Sequence, residues 1–79
     1  MLLAELALAF VLAQRDVTCP IIGPRTMEQL ESQLPAAKRV LDTALLDRID
    51  EIVPPGTNLH ATDAGWTPPS LVDPSLRRR

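Results

Sequence analysis

Apolar positions fall into three patterns along this chain. Near the start they are almost uninterrupted: Leu2, Leu6, Phe10 and Ala13 make one stripe at helical spacing, and Leu3, Ala7 and Val11 make a second, with Glu5 as the one charge among them. This predicts a helix over about residues 2–14, stopping near Arg15-Asp16 and needing cover on most sides. Val17-Thr18-Cys19-Pro20-Ile21-Ile22 is a short β-branched and apolar run closed by Gly23-Pro24. It predicts a buried strand, with Pro20 disfavouring a long ladder on one side. The third pattern is amphipathic. Thr26-Met27-Glu28-Gln29 has the form of a capping box, in which the Thr26 hydroxyl accepts from the third helical amide while Gln29 reaches back. The helix it opens carries Met27, Leu30 and Leu34 on one face, and Pro35 ends or kinks it by pushing Leu34 out of helical geometry.

Asp42 is the predicted N-cap of a further helix over residues 43–53. Leu45, Ile49, Ile52 and Val53 fall on one side of it, with Asp47, Arg48, Asp50 and Glu51 on the other. Pro54-Pro55-Gly56 is its stop signal. Residues 57–79 show no periodicity, which predicts an irregular tail lying on a surface supplied by something else. Helix, short strand, glycine turn and capped helix together form an α-β-α slice of a parallel α/β protein. One strand cannot satisfy its own backbone, so the sequence describes part of a sheet whose other strands are absent. On its own such a chain is expected to be mostly helical.

Length and composition sharpen this picture. The chain has 79 residues, 46% apolar and 23% charged, with a formal net charge of −2. Net acidity without a basic stripe argues against nucleic acid as a partner. The single cysteine cannot staple a loop, which excludes a disulfide mini-protein and fits a reducing cytoplasm. The apolar start has its first charge negative and inside the stretch, unlike a secretory signal, and its roughly 13 residues are too few to span a membrane. Below about 70–80 residues a single core seldom stabilises a fold by more than about 3–5 kcal/mol without staples. With Phe10 and Trp66 as its aromatic residues, this chain needs neighbours.

Chemistry concentrates in the segment from Ile21 to Leu34. A glycine turn after a strand lets backbone approach a ligand closely, and the helix that follows offers free amides and a positive dipole end to an anion. Arg25 stands just before the cap, where a guanidinium can fork onto a phosphate. Gln29 and Gln33, four apart, are neutral amides on one face that can read a polar ring. The bland alternative is an ordinary strand-helix turn with a solvated arginine.

Three runs together carry a resemblance: Leu6-Ala7-Leu8-Ala9-Phe10-Val11-Leu12, then Pro20-Ile21-Ile22-Gly23-Pro24-Arg25-Thr26 with Glu28-Gln29-Leu30, and Leu46-Asp47-Arg48-Ile49-Asp50-Glu51-Ile52-Val53-Pro54-Pro55-Gly56. From Leu3 to about Pro69 the chain resembles the C-terminal end of the aldo/keto reductases. The resemblance implies a (β/α)8 TIM-barrel enzyme that reduces aldehydes or ketones with NADPH. Residues 1–56 would be the last α-β-α units of a partial barrel domain (helix seven, strand eight, helix eight and a further helix), and residues 57–79 an irregular C-terminal extension. The barrel rule agrees, since phosphate sites tend to follow strands 7–8 at a helix N-terminus.

By position, Gly23 and Arg25 match the family's turn around the adenosine 2′-phosphate, with Arg25 as the phosphate partner. Gln29 matches a position facing the same phosphate or the adenine. Ser32 and Gln33 match the pair that holds the adenine amino edge, where the family usually has an acidic residue and then Asn. Ser32 lacks that carboxylate acceptor, while the longer amide of Gln33 still has the reach. The family's catalytic Asp, Tyr, Lys and His come from earlier strands. This chain has no Tyr, and its Lys38 and His60 sit outside any matching motif. The chain alone is therefore expected to be inactive, its partners in a complete enzyme being NADPH, a small carbonyl substrate and the remainder of the barrel.

The remaining candidates have bland expectations. Cys19 is expected to be a buried, inert thiol, and His60 a solvated loop residue. Asp47, Asp50 and Glu51 lack the spacing of a metal site and are expected to form a solvated helix face. Trp66, between Gly65 and Pro68-Pro69, is expected either to line a substrate pocket through the C-terminal extension or to pack outside the barrel. Arg77-Arg78-Arg79 is expected to be frayed and without a partner. A different class of function is also open: a small helical interaction or oligomerisation protein that docks through its apolar N-terminal helix.

Overall fold

The computed structural model describes residues 1–58 and 65–79. Helix α1 runs Leu3–Leu12, two residues short of the expected stop. Helix α2, Met27–Gln33, tightens into a 3-10 turn over Leu34–Lys38 with Pro35 in its first positions. Proline ends the regular helix because it lacks the N–H that continues the ladder, but Leu34 is not pushed out of helical geometry as expected: it keeps φ −57° and ψ −37° as the chain passes into the 3-10 turn. Helix α3 is Thr43–Ile52, and the short α4, Pro69–Val72, is followed by a 3-10 turn Pro74–Leu76.

Both predicted polar caps form. The Asp42 carboxylate accepts from the Leu45 amide at 2.8 Å, holding a first-turn donor that the helix itself leaves free. At the other end of α3 the backbone turns at Gly56, whose φ of +84° suits a residue without a Cβ, and the Thr57 amide donates to Pro54 at 3.1 Å. Apolar spacing then decides what the helices bury. Ala9, Leu41 and Leu46 are the centre of the core, with Leu6, Phe10, Ala13 and Leu45 packed against it. The 3-10 turn and α2 cover a second side of α1, where Ala36 is buried. A small residue at Ala9 lets the Leu41–Leu46 segment come close.

The cover is incomplete, as the length predicted. Leu2, Leu3, Ile21, Met27, Leu34 and Val40 are exposed apolar side chains. The expected buried strand over residues 17–22 is not formed, and Ile21 stands 98% exposed. An extended run holds together only through a neighbouring ladder, and no second strand exists among the described residues. Cys19 is consequently exposed rather than buried.

The closing residues overturn a second expectation. Arg77-Arg78-Arg79 is not a frayed run. Gln14 and Arg78 form an antiparallel bridge, flanked by the Arg15 amide donating to the Arg77 carbonyl at 2.7 Å and the Arg79 amide donating to the Ala13 carbonyl at 2.9 Å. Arg78 also reaches α3, donating to Asp47 at 3.0 Å and to Asp50 at 2.9 Å. These two carboxylates are therefore ion-paired rather than simply solvated. No described helix is long and apolar enough to cross a membrane.

Candidate functional site

The turn into α2 is ordered by its own side chains. Thr26 is extended at φ −129°, ψ 158°, which aims its hydroxyl back at the helix, and Oγ1 accepts from the Gln29 amide at 3.1 Å. The Gln29 carboxamide returns the contact one residue further than a standard capping box, its Oε1 accepting from the Arg25 amide at 2.8 Å. Arg25 is thus fixed at its backbone, while its side chain is exposed and has no hydrogen-bond partner among the described residues. A fixed root with a free guanidinium can receive an anion.

The other predicted site residues divide into two groups. Gly23 lies exposed on the approach to the same turn, and a Cβ placed there would meet nothing within 4 Å. Its surroundings leave open space for a ligand, although this conformation does not itself demand glycine. Gly23, Arg25 and Gln29 therefore share one exposed turn. Ser32 instead turns onto its own helix, its hydroxyl donating to the Gln29 carbonyl at 2.9 Å. Gln33 is half-buried against α1 in an apolar crevice of about 160 Å³ lined by Leu8, Leu12, Pro20, Ile22 and Leu34. Its Oε1 is buried there without a partner. Although Gln29 and Gln33 are one turn apart, their amides do not converge.

Among the remaining candidates, Lys38 is exposed at the end of the 3-10 turn, and Trp66 is 78% exposed. His60 lies outside the described residues. The Arg48 guanidinium donates to Glu51 at 2.7 Å, an exposed pair one turn apart on α3.

Two charged contacts were not anticipated from the sequence. Glu5, buried within α1, accepts from Arg39 Nε at 2.7 Å. That hydrogen bond, helped by the charge of Arg39, holds the Glu5 carboxyl below its ordinary value against the opposing effect of burial. The available signal was a lone carboxylate in an apolar helix, which needs a partner once buried. For Arg78, burial disfavours the charge, but hydrogen bonds to Asp47 and Asp50 outweigh it and hold the guanidinium more firmly protonated than usual. Their signal was the i, i+3 spacing of the two aspartates, which places both on one face of α3.

Comparison with known proteins extends across this turn. The sequence profile of the aldo/keto reductase family matches residues 1–54. The chain is also 48% identical over 51 residues to the uncharacterized oxidoreductase YrpG of Bacillus subtilis (strain 168), an alignment covering 65% of this chain and 16% of that protein. The chain thus spans a small part of the length of this curated relative. No solved structure matches it significantly. With more than half of its residues under one family profile, the chain belongs to the aldo/keto reductase family.

Proposed function

We propose that this chain is the C-terminal, cofactor-anchoring part of an NADP(H)-dependent aldo/keto reductase, an oxidoreductase that turns aldehydes and ketones into alcohols. The observation that carries this reading is the exposed, backbone-anchored Arg25 inside the family match. Residues 1–56 supply the last α-β-α units of a (β/α)8 barrel, and residues 57–79 an extension. A run over residues 17–22 with no strand ladder, and the exposed Ile21, are what a barrel strand without its neighbours would leave. The Bacillus subtilis relative is named an oxidoreductase, consistent with this class.

The residues present fit the phosphate end of the cofactor. In this reading the Arg25 guanidinium binds the adenosine 2′-phosphate through paired N–H donors. Gln29 orients Arg25 through its amide and keeps its own NH₂ for the ligand, and Gly23 leaves room for close approach. Ser32 retains acceptor lone pairs toward the adenine amino edge, and Gln33 reaches that edge only after leaving its crevice. Bound NADPH supplies the hydride. The proton donor belongs to the remainder of the barrel, since this chain has no Tyr and its Lys38 sits outside any matching motif. The fragment alone is therefore inactive, and the complete enzyme works in the cytoplasm on a small carbonyl substrate.

A second reading has its own support. Leu2 and Leu3 expose an apolar start to α1, as an oligomerisation helix would. Blotting source-cell extract for this segment separates the two. A product of roughly 250 residues or more fits the reductase, whereas a 79-residue product that elutes as a defined oligomer overturns that reading in favour of the interaction protein.

A further inference from the structure

We propose that Arg77–Arg79 form a charge-held strap that closes the tail over a groove between α1 and α3. The groove measures about 340 Å³, walled by Phe10 of α1 and Gln14 just beyond it, Ile49 of α3 and Val53 just beyond it, and Leu71 and Arg77 from the tail. The tail thus forms one wall of an otherwise open apolar cleft, and each of the three arginines fastens it at a different point.

Arg79 closes the end of α1. Its Nε donates to the Leu12 carbonyl at 2.8 Å, its amide donates to Ala13, and its Nη2 donates to Val17. The Leu12 and Ala13 carbonyls lie at the C-terminus of α1, where acceptors are left over and the dipole favours a cation. Arg78 spans to α3 and engages Asp47 and Asp50 together, the latter on the rim of the same groove. Arg77 folds back on the tail, donating to the carbonyls of Ser70 at 3.2 Å and Leu71 at 3.1 Å, which holds α4 against the closing turn. Arg15 completes the set from the α1 side by donating to the Ser75 carbonyl at 3.3 Å.

Apolar contact along the strap is limited to the half-buried Leu76 and to Leu71 on the groove wall, 37% exposed, while Val72 is exposed. The charge in the strap lies in the Arg78 pairs: the Asp47 side chain is 61% exposed and within reach of salt, while those of Asp50 and Arg78 are 24% and 26% exposed. Such a closure opens as ionic strength rises, while the core around Ala9, Leu41 and Leu46 stays shut.

Amide hydrogen exchange in the 79-residue chain tests this, following the Arg15 and Arg79 amides, which bond across the strap, with the Leu46 amide of α3 as reference. Raising salt from about 20 mM to about 1 M should speed exchange at Arg15 and Arg79 by about two- to fivefold and leave Leu46 unchanged. Arg78→Gln should reproduce the acceleration at low salt and remove the salt response. Exchange at Arg15 and Arg79 that is unprotected at low salt, insensitive to salt, or accelerated no more than at Leu46 overturns the strap. The unaltered chain decides the matter even where the variant does not fold.

Discussion

Arg39 Nε and Glu5 Oε1 meet at 2.7 Å, joining the residue after the 3-10 turn to the first turn of α1. The pair links segments 34 residues apart in sequence, and it satisfies a carboxylate that α1 would otherwise bury unpaired. Removing the arginine leaves the acid in its apolar setting, so Arg39→Gln should destabilise the chain more than Glu5→Gln, which removes the charge together with its need. Urea unfolding of the two variants measures the difference.

The same pair gives stability a direction with pH. The Glu5 carboxyl in the folded chain sits below its ordinary value of 4.5, chiefly through the Arg39 hydrogen bond. The folded form therefore binds its proton less readily than the unfolded form. The pair's contribution should be fully present above pH 4.5 and fade as pH falls through the lowered folded value. Melting curves across that range should show the gap between the unaltered chain and Arg39→Gln closing as the solution is acidified. A gap that widens would contradict the assignment.

Leu46 is the larger of the two leucines' contributions from α3 to the core, 6% exposed and packed in the cluster with Ala9 and Leu41. Leu46→Ala should cost about 2–5 kcal/mol, which for so small a core is enough to abolish cooperative unfolding. Circular dichroism during heating reads this directly.

Thr26→Ala removes the side-chain acceptor for the Gln29 amide and should cost about 1 kcal/mol. Because Gln29 in turn holds the Arg25 amide, the loss should also loosen the turn that carries the guanidinium. Exchange at the Arg25 amide should rise in Thr26→Ala and in Gln29→Ala. An unchanged Arg25 amide would separate the cap from the site.

What the sequence made legible follows the range of each interaction. The caps at Thr26 and Asp42 depend on residues three apart, and both form as the local pattern predicts. The stop after α2 at Pro35 and the turn at Gly56 are local in the same sense. The run over residues 17–22 has strand composition, but a ladder needs partner strands, and the described residues hold none, so composition alone overstates it. Cys19 follows the same error, since its burial depended on the missing sheet. Arg78 finds Asp50 across 28 residues of sequence, and no periodic pattern announces a contact of that range. The site divides likewise. The turn holding Gly23, Arg25 and Gln29 is local and was legible, whereas the inward rotation of Gln33 depends on the crevice that α1 provides.

In the proposed complete reductase, cofactor preference decides whether Arg25 holds the 2′-phosphate. Affinities for NADPH and NADH would be measured with Arg25 and with Arg25→Ala, the two cofactors differing only in the 2′-phosphate. A charge-assisted bond to that phosphate is worth about 1.5–3 kcal/mol, so NADPH should weaken by roughly tenfold or more while NADH changes little. Equal losses for both cofactors, or none for either, would contradict the placing of Arg25 at the 2′-phosphate.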